Sequence, residues 1–170
     1  MTWANYNEST DEGYGAMRQA DPTDPMAQDL ARRLLAHEAG NGGQDVEALA
    51  DAAERAGDKL RLHLSKILGQ AGFQALLARA LTLATAEFPW LAAGGVAERD
   101  GSLKGLRAAA EGRELAQAGA GFVAVLGHIL GLLVVFIGGD LTGRLVRQVW
   151  PEADLGDPTP ESEDEAKRQR

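Results

Sequence analysis

From residue 25 onward the apolar positions recur at helical spacing. Thr23-Asp24-Pro25 supplies a capping residue followed by proline at the first helical position, where the missing N–H costs nothing. Met26, Leu30, Leu34 and Leu35 then form one face, and Gly40-Asn41-Gly42-Gly43 stops the segment, which predicts a helix over 25–39. A second stripe, Val46, Leu49, Ala53, Ala56, Leu60, Leu64 and Ile67, predicts a helix over 44–68. Asp51 with Arg55, and Asp58 with Arg61, stand on its opposite face at pairing distance. Gly69 and Gly72 mark a break or bend. Phe73, Leu76, Leu77, Ala80, Leu81 and Ala84 define a third helical face over 73–88, closed by Pro89.

Residues 89–102 read as a loop in which a short hairpin is conceivable. Ser102 is placed to cap a fourth helix running to about residue 118, with Leu103, Leu106, Ala109, Ala110 and Leu115 on its apolar side. No charged residue occurs between Glu114 and Asp140. Residues 119–139 are apolar on every side except at His128. Asp140 is placed to cap a final short helix carrying Leu141, Leu145, Val146, Val149 and Trp150 and ended by Pro151. Gly119, Gly121, Gly138 and Gly139 are the candidate breaks in this region.

This order of elements predicts an all-α fold: a compact bundle of five or six helices around a central hydrophobic helix at about 119–138. A helix apolar all round belongs either in a protein core or in a membrane. Residues 119–139 are long enough to cross about 30 Å of hydrocarbon. Gly127 and Gly131 make a G-x-x-x-G pair that lets helices approach closely, in lipid or in water. The amphipathic faces of the other helices need an apolar surface to cover, which favours the core. The flanking charges carry no orientation bias, and Trp150 lies too far beyond the run to mark a membrane boundary.

Charge separates body from ends. The 170 residues include 17 Lys+Arg and 25 Asp+Glu, for a net charge of -8. Residues 1–24 hold five acids and one base, and 151–170 hold seven acids and three bases. The two ends thus account for the whole imbalance, and 25–150 is neutral. Neither end has a periodic apolar face, so both are expected to be disordered acidic tails flanking one helical domain at 25–150. Trp3, Tyr6 and Tyr14 punctuate the first. Residues 1–25 lack a signal-peptide pattern, and the chain has no Cys, so a cytoplasmic protein is expected, with the inner or cytoplasmic membrane as the alternative.

Candidate chemistry is sparse. Without cysteine there is no thiolate ligand or nucleophile. An acidic chain is poorly suited to phosphate neutralisation, so no nucleic-acid partner is expected. Segment 64–84 faintly resembles a helix-turn-helix, but its second helix would present Phe, Leu and Ala with Arg79 as the single charge, which cannot read base edges. His37 sits in the last turn of the first helix, where it favours the terminal carbonyls, and His63 lies at the margin of an apolar stripe. His128 is the weak candidate for cofactor or haem binding; a satisfied core histidine is the plainer reading, because an unpaired buried imidazole costs about 1–3 kcal/mol. No metal-ligand spacing accompanies it, and no cofactor is expected. Glu87, beside Phe88-Pro89-Trp90, reads as a helix-end acid facing water. No catalytic residue is assigned. The sequence points to a small non-enzymatic interaction or regulatory protein with a protein partner or a second copy of itself. Gly127, Gly131, His128, Phe88, Trp90 and Trp150 are its candidate packing or interaction residues. A membrane-associated protein and a ligand-binding bundle using His128 are the alternatives.

Overall fold

The computed structural model describes residues 24–94 and 101–156. The expectations for the acidic ends fall mainly on 1–23 and 157–170, outside the described residues. The fold is an all-α bundle: α1 (Pro25–Ala39), α2 (Val46–Glu87), α3 (Leu106–Ala109), α4 (Leu115–Ile137) and α5 (Gly139–Val149), with short 3-10 turns at Gly40–Gly42 and Pro89–Gly94. Among the described residues there is no strand, and the conceivable hairpin at 89–102 is in part this second 3-10 turn.

Local chemistry explains the first boundaries. The Asp24 carboxylate accepts from the Met26 N–H at 3.0 Å, and Pro25 opens α1. Asp45 accepts from the Ala48 N–H at 2.7 Å and opens α2. Each satisfies an N–H that the first helical turn leaves without a partner. α2 continues through the expected break, but Gly69 stands at φ 73°, ψ 166° and divides it into two halves. Both expected faces on these halves are buried, from Ala53 to Leu64 and from Phe73 to Ala84. Val46 and Leu49 are partly buried, and Ile67 is 61% exposed, because the stripe runs out just before the chain turns at Gly69.

The region after the loop differs from expectation. Ser102 is buried, and the fourth helix shrinks to the single turn of α3, which has Gly105 at its N-cap position and no side-chain cap. Leu103, Leu106, Ala109 and Ala110 are buried as the pattern requires, whereas Leu115 is 38% exposed. The chain breaks at Gly112, φ 75°, a position the pattern did not single out. Gly119 and Gly121 do not break anything; they lie inside α4. Gly138, φ 86°, does separate α4 from α5. Asp140 therefore sits in the first turn of α5 and is not its cap, where a negative charge still favours the helix N-terminus.

α4 is the centre. Its residues 124–133 are buried without exception, against α1, both halves of α2, and α5. Two glycines fix close approaches. A Cβ on Gly127 would lie 2.5 Å from the Gln28 side chain of α1, and one on Gly121 would lie 2.3 Å from the Trp90 ring. The Gly127 side of the G-x-x-x-G pair is thus occupied by α1 of the same chain, and Gly131 is buried. The shelter ends before the helix does: Val135 and Phe136 are 46% and 68% exposed. Past α5, Ala153 and Leu155 pack partly buried on the core, so the first residues of the segment expected to be a solvated tail lie on the body.

Truncating the fully buried Leu130 to Ala should lower stability by about 2–5 kcal/mol, read as a shift in the urea midpoint at constant slope.

Candidate functional site

Two polar constellations cross the apolar core. The first joins α2 to α4. His128 is 1% exposed, and its Nε2 stands 2.6 Å from Glu87 Oε1 at the end of α2. A carboxylate only accepts, so the ring nitrogen donates. Glu87 is half-exposed but does not merely face water: it is a partner the buried imidazole requires, brought from 41 residues away. The chain leaves α2 directly into an aromatic cap. Phe88 and Trp90 meet edge-on with ring centroids 6.3 Å apart, and Trp90 meets Phe122 of α4 in the same way at 6.2 Å. Arg113 lies 5.7 Å from the Trp90 ring centroid, within cation–π range. His128, Phe88 and Trp90 therefore come together, as does Gly121, which makes room for the indole.

The second constellation gathers around Glu38, a residue the pattern did not mark. Its side chain is only 6% exposed although it lies near the end of an otherwise solvated helix face. Lys59 Nζ donates to Oε1, Trp150 Nε1 donates to the same oxygen at 2.6 Å, and Arg55 Nε stands 3.5 Å from Oε2. Arg55 also donates to the Glu38 backbone oxygen at 2.8 Å. Lys59 lies 5.8 Å from the Trp150 ring centroid. Trp150 is 2% exposed and clasps the end of α5 to α1 and α2, which makes it a packing residue. Burial by itself raises the Glu38 carboxyl; the hydrogen bonds from Lys59 and Trp150 and the charges of Lys59 and Arg55 together outweigh it and hold the group below its ordinary value.

These contacts rewrite the expected surface pairs. Asp58 and Arg61 do pair along α2, at 3.3 Å. Arg55 turns to Glu38 instead of Asp51, and Asp51 accepts from Arg107, which also reaches Glu47 at 3.4 Å. Glu54 beside them is held above the ordinary carboxylate range, by burial first and by the like charges of Asp51 and Asp58, with Arg107 offsetting part of it.

The remaining histidines serve the helices. His63 Nδ1 donates to the Lys59 carbonyl at 3.0 Å, and His37 lies exposed in the last turn of α1. Among the described residues no three His, Asp or Glu side chains converge as a metal-binding group. A haem iron approaching His128 Nε2 would have to displace Glu87. The third distinctive feature is the exposed end of α4, Val135 and Phe136, continued by Leu141 of α5 at 54% exposure. Nothing in the residue pattern marks this part of the apolar run as different from the rest.

Comparison with family models, with curated proteins and with solved structures gives no match to this chain.

Two outcomes test the constellations. Glu38→Gln should cost about 1–3 kcal/mol at neutral pH, because it weakens hydrogen bonds to a charged group. The wild-type carboxyl is depressed by folding, so its contribution is complete above the ordinary carboxylate value and fades as pH falls through the lower folded value. Urea midpoints of the two proteins should therefore converge in acid. For the other pair, Glu87→Ala should cost about 1–3 kcal/mol, and much less in a His128→Leu background, a non-additivity measured by a double-mutant cycle.

Proposed function

We propose that the protein is a small non-enzymatic interaction protein whose body folds in water and whose contact surface is the uncovered end of its central helix. The observation that carries this reading is the change of environment along α4. Leu126, His128, Ile129 and Leu130 have at most 1% exposure, yet Phe136, two turns on in the same uncharged run, is 68% exposed. A single exposed apolar side chain is ordinary, but Val135, Phe136 and Leu141 are all exposed within seven residues of chain, on either side of Gly138. The buried polar groups, Glu38 and His128, have partners within the chain, and their geometry serves to fix helices against each other.

A membrane-associated protein is the second reading. α2 and α4 are both long and apolar enough to cross a membrane by length and composition, with 33% and 67% of the respective windows buried. Mostly buried apolar helices also form soluble cores, and the amphipathic α1 and α5 would lose their cover if α4 left for lipid.

Expressed full chain should appear in the detergent-free supernatant and unfold cooperatively by circular dichroism. Leu132→Asp should abolish that transition by burying a charge, whereas Phe136→Ser should leave the midpoint unchanged within about 0.5 kcal/mol. Recovery in detergent alone would replace this reading with a membrane-spanning one.

A further inference from the structure

The uncovered end of α4 has a definite shape and charge. α1 runs antiparallel to α4, with Gln28 against Gly127 and its far end, through Leu49, beside Gly119. At about 1.5 Å per residue, the start of α1 comes level with the turn after Gly127, so the last turn of α4 projects past it. Gly138 then folds α5 back along the bundle. α5 buries Thr142, Leu145 and Val146 and leaves Leu141, Arg144 and Arg147 exposed. Arg144 and Arg147 stand about 4.5 Å and 9 Å along the helix axis from Leu141. Neither has an ion-pair partner among the described residues. The one acid in the same helix is Asp140, exposed in the first turn against the α5 N-terminus.

We propose that this end docks on an anionic lipid surface. Phe136, Val135 and Leu141 enter the interfacial layer, and Arg144 and Arg147, one and two turns behind, meet the headgroup phosphates. The inference rests on the reading of this end as the contact surface and names its partner. Shape decides for lipid. A projecting helix end offers few side chains, whereas a stable protein interface needs about 800 Å² from each partner. Interfacial attachment needs only a small apolar insertion reinforced by basic groups at headgroup depth. The sheltered part of α4 stays in the bundle, so attachment is peripheral. The chain carries -8 overall, but within α5 the exposed Arg144 and Arg147 outnumber Asp140.

The test is sedimentation of the full chain with vesicles of phosphatidylcholine alone or with about one-third phosphatidylserine, at low salt and at about 0.5 M salt. Partition should favour the anionic vesicles and fall with salt. Phe136→Ser should reduce it about tenfold, and Arg144→Gln with Arg147→Gln about fivefold per arginine. All three side chains are exposed, so the urea midpoint should not move. Equal partition to both vesicles, none to either, or indifference to these substitutions overturns the inference. A concentration-dependent dimer without vesicles that Phe136→Ser dissolves also overturns it, while leaving the docking reading intact. A chain recovered in detergent alone would sink both.

Discussion

A 23-residue helix that contains no Asp, Glu, Lys or Arg has to be sheltered from water along most of its length, and the arrangement of the other helices follows from that requirement. Burying one leucine-sized side chain contributes about 1.5–3 kcal/mol, and α4 buries Leu126, Ile129, Leu130, Leu132 and Leu133 together with Phe122 and Val125. No single amphipathic helix can cover a cylinder that is apolar on every side. α1, the two halves of α2, and α5 each turn one apolar face inward, and together they enclose residues 124–133. Small residues set how closely they approach: Gly127 admits Gln28, and Gly121 admits the Trp90 ring.

Apolar contact alone is permissive about register, and the polar constellations are not. Glu38 is met by Lys59 and Arg55 from α2 and by Trp150 from the end of α5, so one carboxylate fixes three elements at one place. His128 and Glu87 do the same for α4 and the far half of α2. A buried polar group left without its partner is costly, whereas a leucine sliding by a turn loses comparatively little. The two constellations therefore act as registers for a bundle whose mass is held by nonpolar contact. Because they lie on opposite sides of the Gly69 bend, they also fix the angle at which α2 folds back.

The same enclosure defines the protein's outward face. The cover given by the neighbouring helices stops short of the end of α4, so Val135 and Phe136 are left in solvent, followed along the chain by the exposed arginines of α5. Hydrophobicity that is core in the middle of a helix becomes contact surface at its end, with no change in residue type.

Periodicity and capping determined much by themselves. Asp24-Pro25, the glycines at 40, 69 and 138, and the apolar stripes located α1, both halves of α2, and the centre of the bundle. These are local signals, written within a few residues of the feature they specify. Pairings between distant segments lie beyond such signals. Arg55 chose Glu38 over Asp51, Glu87 became the partner of His128, and Trp150 became buried, because each depends on which helix arrives beside it. Ser102 offered a good cap, yet packing drew it into the core and shortened the helix it was expected to open. Ile67 and Phe136 are as apolar as their buried neighbours, and only the lengths and crossings of surrounding helices left them in water. Local chemistry decided which segments are helical and which faces are apolar; the tertiary structure alone decided how far each face is covered, since coverage is a property of neighbours.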